Sequence, residues 1–215
     1  MSQRVQSANE EDLVRLKRML RKVAGRDPEL VKRRLERAGE ARVLDLACGD
    51  CREARVLGDF AAELKGSAET TVSLTGIDVR AREIADAARK HGRRSRADDA
   101  RGAREHEFLV GDATRLNELR ELGEDFDLVF LRHQNYWNGG RDWEEIFDHA
   151  LSKLGPDGRL VITSYFDKEH SLALEAIQRL GGELVATESN PETRQLATPG
   201  KSVDRHMAMF RRVRK

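Results

Sequence analysis

Cysteine is almost missing from this chain. It has two, Cys48 and Cys51, in 215 residues. That excludes a secreted disulfide framework, and two thiols alone cannot make a structural zinc site with its four ligands. No run of about 18 apolar residues is present, so no membrane-spanning helix is expected. Met1-Ser2-Gln3-Arg4 leads into polar sequence rather than an apolar signal region, and a cytoplasmic location is expected. Charge of one sign is also lacking: 39 basic residues nearly cancel 38 acidic ones, so no global field draws the chain to nucleic acid or membrane. Internal repeats are absent as well.

What is present is a periodic alternation of apolar runs and helical patterns. Residues 9–24 read as a helix capped by Asn9, with an apolar stripe of Leu13, Leu16, Met19, Leu20 and Val23. Asp27 and Pro28 start a short second helix, with Leu30, Val31, Leu35 and Ala38 inward. Its outer face, like that of the first, is rich in Lys and Arg, which reads as a solvated surface before it reads as a nucleic-acid one. Residues 1–40 form a helical extension and 41–215 the main domain.

In that domain a strand at 42–47 runs into Cys48-Gly49-Asp50, and a helix from Cys51 to Lys65 follows with Asp50 as its cap. Val72–Asp78 is a second strand. The next helix has Ala81, Ile84, Ala85 and Ala88 inward. The stretch from His91 to His106 has few large apolar residues and reads as an exposed connector. Phe108–Ala113 is a third strand with its turn, followed by a short helix at 117–122. Phe126–Leu131 is a fourth strand, and 142–154 is a helix stopped by the turn Gly155-Pro156-Asp157-Gly158. Arg159–Tyr165 is a fifth strand, Ser171–Leu180 a helix, and 183–188 and 203–213 two late strands forming a hairpin. Strands alternating with helices predict an α/β, doubly wound, mostly parallel sheet. The hairpin makes one strand antiparallel.

In such sheets the ligand lies beyond the carboxyl ends of the strands. The residues there are Asp45 and the Ala47–Asp50 turn, Asp78, Asp112, and Arg132 with His133. An acid ending the second strand suits both hydroxyls of a ribose, and Gly49 lets backbone approach a ligand closely.

These residues resemble the motifs of the class I S-adenosylmethionine-dependent methyltransferases over roughly residues 40–213. The matching segments are V-L-D-L-A-C-G-D-C, T-G-I-D, F-L-V-G-D-A, F-D-L-V-F-L-R-H and L-S-K-L-G-P-D-G-R-L-V-I-T, in the family's order. The resemblance implies a seven-stranded sheet of order 3-2-1-4-5-7-6 with strand 7 antiparallel. It also implies S-adenosylmethionine as donor and S-adenosylhomocysteine as product. By position, Asp45 would approach the methionine ammonium, directly or through water. Ala47, Cys48 and Gly49 would line the methionine and ribose, and Asp78 with Val79 beside it would take the ribose. Asp112 and Ala113 would meet adenine, and Arg132 and His133 would border the methyl-transfer face. Three departures stand out. Cys51 replaces the family's third glycine, the Asp45-to-Asp78 gap is long, and the Asn/Asp-Pro-Pro-Tyr of base aminomethyltransferases is missing.

His133 is the candidate general base, unless it merely packs at the strand end. Tyr136, Trp137 and Tyr165 are candidates for an acceptor pocket, with Trp143 placed lower as a core residue. No metal site is expected. The acceptor is expected to be a small molecule, with RNA or protein behind it and no membrane partner. Other readings remain. A nicotinamide enzyme would want G-x-G-x-x-G, which this turn does not supply. Cys48-x-x-Cys51 at a strand-to-helix turn suits a redox pair, or else two small buried residues. A non-catalytic protein that keeps the cofactor fold is the third.

Overall fold

A computed structural model of the chain describes residues 3–33, 39–66, 70–92, 103–119 and 121–213. In order these form α1 (Gln3–Ala24), α2 (Pro28–Arg33), β1 (Ala41–Leu46), α3 (Ala54–Leu64), β2 (Val72–Asp78), α4 (Ala81–His91), β3 (Arg104–Val110), β4 (Phe126–Leu131), α5 (Gly140–Ser152), β5 (Leu154–Ser164), α6 (Asp167–Arg179), β6 (Gly182–Ser189) and β7 (His206–Arg212). The sheet order is β3-β2-β1-β4-β5-β7-β6. β1 to β5 are parallel, and β7 runs antiparallel to both β5 and β6. The expected doubly wound architecture is therefore present, hairpin included.

Two apolar clusters cover the sheet. One joins Leu16, Met19, Leu20 and Val23 of α1 to Leu57 and Phe60 of α3 and to Met207 and Met209 of β7. The other joins Phe147 and Ala150 of α5 to Ile177 of α6 and the opposite sheet face. With both faces covered, β1 and β4 are apolar almost throughout, as buried parallel strands should be.

Several local expectations need correction. α1 begins at Gln3, not at Asn9, because nothing between them breaks a helix; Asn9 therefore lies inside it. Asp27 does cap α2, accepting from the N–H groups of Glu29 (2.9 Å) and Leu30 (3.2 Å). Leu35 and Ala38 lie outside the described residues. α4 buries Ile84 and Ala87, while Ala81, Ala85 and Ala88 are exposed. Alanines are too small to set the phase of a helix. β3 starts at Arg104, inside the expected connector. It is an edge strand with alternating exposure, so charged residues alternate with half-buried ones and hide its start. The rest of that connector, 93–102, lies outside the described residues. The expected helix at 117–122 is a 3₁₀ turn at Ala113–Glu118, and α6 starts at Asp167 rather than Ser171. The Gly155–Gly158 turn lies within β5 as a bulge, since pairing with β4 jumps from Phe126–Leu154 to Leu128–Arg159.

Candidate functional site

The donor end grows out of the chain's path after β1. Ala47, Gly49 and Cys51 all have positive φ (54°, 57° and 45°), so the chain coils through a tight turn before α3 begins at Ala54. Asp50 is thus not the cap of α3; it pairs instead with Lys90 (2.6 Å) and Arg52 (2.9 Å). The Cys48 N–H donates to the Ile77 carbonyl at 3.1 Å, tying the turn to β2. Gly76 makes room there, since a Cβ at that position would lie 3.1 Å from the Cys48 sulfur and 2.8 Å from Phe108.

Asp78 sits at the centre of this end. Its Oδ2 accepts from the Gly49 N–H (2.8 Å) and from Arg80 Nη2 (3.0 Å), and its Oδ1 accepts from the Arg80 N–H and Nε (both 2.9 Å). Burial alone would raise its pKa, but the bonds from Arg80 and Gly49 outweigh that and hold it below the ordinary carboxylate range. Arg80 is 59% exposed, so this clamp opens to solvent.

Asp45 is fully buried. Burial, then the neighbouring Glu53, pushes its pKa well above the usual value. The Cys51 thiol donates to Oδ2 at 3.1 Å, and Oδ1 has no partner in the protein. A buried polar atom without a partner is uncommon and marks a place where a ligand or ordered water is wanted.

A cavity of about 750 Å³ opens where β1, β2, β4 and β5 end. Ala47–Asp50, Asp78, Val79 and Arg80 wall one side. Arg132, His133, Asn135, Trp143 and Tyr165 wall the other, with Arg194, Leu196 and Val203 from the β6–β7 loop and Asn9, Asp12 and Leu13 from α1. Arg132 donates to both carboxylate oxygens of Asp204 (3.1 and 2.7 Å) and to Glu53 (3.1 Å). Burial would raise the Asp204 pKa, but Arg132 and His133 drive it far below the ordinary carboxylate value. The His133 ring stacks on Tyr165 with centroids 3.9 Å apart. Arg194 pairs with Asp12, joining the loop to α1.

Of the residues named from the sequence, Ala47, Cys48, Gly49, Asp78, Val79, Arg132, His133 and Tyr165 line this cavity, whereas Asp45 and two of the aromatics do not. Tyr136 bonds Glu144 (2.6 Å) and stacks on Phe147, and Trp137 stacks on Phe166; neither is in the cavity wall. Trp143, placed lower, is. Asp112 caps the 3₁₀ turn through the Thr114 N–H (2.9 Å) and, like the buried Ala113, lies outside the wall. Asp204, Glu53, Arg194 and the α1 residues had no local signal.

A family model described as "Methyltransferase domain" matches residues 38–209. The chain belongs to this methyltransferase family. Its class I members take their methyl group from S-adenosylmethionine, and that is the cofactor of this enzyme. Known structures with the methyltransferase's fold include a TehB-like SAM-dependent methyltransferase from Corynebacterium glutamicum (19% identity, 86% of each chain covered, TM-score 0.54). Another is the magnesium protoporphyrin IX methyltransferase ChlM from Synechocystis with bound SAM (16% identity, 92% of this chain and 80% of that one, TM-score 0.55). A third is an S-adenosylmethionine-dependent methyltransferase from Clostridium acetobutylicum (10% identity, 85% of this chain and 87% of that one, TM-score 0.57). No curated protein matches.

The methyltransferase's two cysteines are both free and buried. The bond with Cys51 lowers the Cys48 pKa, but burial together with the nearby carboxylates of Asp45, Glu53 and Asp78 raises it further, and Cys51 is pushed well up by its bond with Cys48 and by burial. Both therefore favour the unreactive thiol. Among the described residues no cluster of His, Cys, Asp or Glu is arranged to hold a metal, and no helix is long and apolar enough to cross a membrane.

Proposed function

We propose that the enzyme methylates a small molecule held between the donor turn and the His133–Tyr165 wall, and that it works in the cytoplasm. The observation that carries this is the single cavity joining the two. Its volume falls within the range of about 300–1,000 Å³ of small-molecule sites, and α1 lines its mouth with Asn9, Asp12 and Leu13.

The residues fit the cofactor. Asp45 Oδ1 is buried without a protein partner, which an ammonium or its water would supply while also favouring the ionised carboxylate. Gly49 has no Cβ where one would press on Arg80 at 3.0 Å. Val79, 62% exposed, offers an apolar face at the cavity edge. In this reading Asp78 binds the ribose hydroxyls once Arg80 moves aside, and Ala47, Cys48 and Gly49 line the ribose and methionine. Asp112 and Ala113 meet adenine, and Arg132 anchors the wall facing the sulfur. When bound, S-adenosylmethionine supplies an electrophilic methyl on a sulfonium sulfur. The protein's part is to align the acceptor, exclude water and, where the acceptor carries a proton, remove it at His133.

An RNA acceptor finds less support. Lys17, Arg21, Lys22 and Arg26 of the basic N-terminal face pair with Asp59, Glu63 and Glu188, so these four cations are not free for phosphates.

Calorimetry with S-adenosylhomocysteine tests the donor seat. The wild type should bind one equivalent, and Asp78→Ala should bind about 100-fold more weakly, since hydrogen bonds to a charged acceptor are worth about 1.5–3 kcal/mol. Equal affinity in the two would remove Asp78 from the seat.

A further inference from the structure

We propose that the donor's methionine ammonium displaces a proton from Asp45, and that the Cys51 thiol holds the carboxylate so formed. The inference rests on reading Asp45 as the partner of that ammonium.

The empty site gives Asp45 little reason to ionise. Its carboxyl is fully buried, Oδ1 has no protein partner, and Oδ2 accepts one bond, from the Cys51 thiol at 3.1 Å. A thiol is a weak donor. A carboxylate taken out of water needs several strong donors or a paired cation. The groups around it supply neither. Glu53, from the turn before α3, and Asp78, from the end of β2, oppose its charge. Arg132, after β4, favours the charge, but its hydrogen bonds go to Asp204 and Glu53. Cys48, in the same turn as Cys51, gives its own thiol to the Gly49 carbonyl at 3.6 Å. Burial, and then Glu53, therefore keep Asp45 a neutral acid in the empty enzyme.

A cation arriving at Oδ1 reverses this balance. The carboxyl O–H bond breaks with its electron pair left on oxygen, the proton passes to solvent, and the ammonium takes its place, directly or through a water. Cys48, Glu53 and Arg132 line the cavity, so Asp45 stands just behind its wall. Cys51 is built to hold the product. Its φ of 45° is left-handed, a backbone that glycine takes freely and a side chain resists. Such strain gathers where a side chain is used. The motif resemblance expects glycine at this position; Cys51 is instead fully buried with its thiol on Asp45. Its bond with Cys48, and burial, keep it a thiol with a proton to donate. That bond is stronger to a carboxylate than to the neutral acid.

The test is calorimetry with S-adenosylhomocysteine in buffers of different ionisation heat, across about pH 5–8. The wild type should release about one proton on binding, and its affinity should rise about tenfold per pH unit until the release ends. Methylthioadenosine, which keeps the nucleoside and the sulfur but has no ammonium, should bind without release. Asp45→Asn keeps the shape of the neutral acid, so it should fold, bind more weakly and release nothing. Cys51→Gly relieves the turn. It should bind about 2- to 10-fold more weakly where the wild-type affinity still climbs, and the deficit should close where that affinity levels off. Cys51→Ser should recover part of the loss. Asp45→Asn binding as tightly as the wild type would remove Asp45 as the partner of the ammonium, the underlying reading. With that variant weakened, wild-type binding without proton release, or a release that persists in Asp45→Asn, would overturn the exchange. A Cys51→Gly deficit of one size at every pH would overturn the part given to the thiol.

Discussion

At the donor end, Asp78 is held by Gly49 and Arg80, partners 29 and 2 residues away in the chain. At the acceptor end, Arg132 meets Asp204 across 72 residues and Asp12 meets Arg194 across 182. The donor clamp is half backbone and open to solvent through Arg80. The acceptor network is side chain on side chain, with Arg132 and Asp204 nearly out of reach of water. Arg80 is open to solvent although its partner Asp78 is buried, so its hold is screened and yields to a ligand more easily than a pair buried on both sides. A buried one is costly to break and holds its neighbours in place. On the proposed reading, the fold sets a yielding seat for the constant ligand beside a rigid wall for the variable one.

The contrast can be broken at either end. Arg132→Met should do most, leaving Asp204 and Glu53 buried without their cation, and should cost about 3–5 kcal/mol in urea denaturation at pH 7. The pH dependence follows from Asp204. Its folded pKa is depressed, so its stabilisation is present above the unfolded value of about 3.9 and is lost as pH falls below it. The wild type should therefore lose stability steeply below about pH 4, and the deficit of Arg132→Met should shrink there. A deficit equal at pH 3 and pH 7 would mean the pair is not the source.

Gly49→Ala should come next. Its left-handed backbone makes a side chain cost about 1–2 kcal/mol, and S-adenosylhomocysteine should bind about 10-fold more weakly by calorimetry. Asp112→Ala removes a group at the edge of the seat and should weaken binding about 5-fold, as for one ordinary hydrogen bond of about 1 kcal/mol. Arg80→Ala should have the smallest effect and the opposite sign. Freed of a competitor worth about 0.2–1 kcal/mol, Asp78 should bind the nucleoside about 1.4- to 5-fold more tightly. Weaker binding would show that Arg80 holds the ligand rather than the seat.

The donor end was legible in the sequence for the same reason that it is local. V-L-D-L-A-C-G-D-C and T-G-I-D each contain both the strand and the group it delivers, and β2 and β4 lie where the apolar runs place them. The acceptor end was half legible. His133 follows β4 directly, but Asp204 sits in a polar loop with no pattern to distinguish it from Asp157 or Asp167. Trp137 and Trp143 lie six residues apart, and only the path of the chain into α5 decides which one faces the cavity. At the edge of the sheet, the charged alternation of Arg104-Glu105-His106-Glu107 concealed a strand because only one side of it is covered.

A crystal structure of the enzyme with S-adenosylhomocysteine is the most direct test. We predict the ribose hydroxyls on Asp78 with Arg80 displaced from it, the amino acid end over the Ala47–Gly49 turn toward Asp45, and the sulfur facing His133 and Tyr165. A nucleoside bound away from Asp78, or a sulfur turned from the His133 wall, would contradict it.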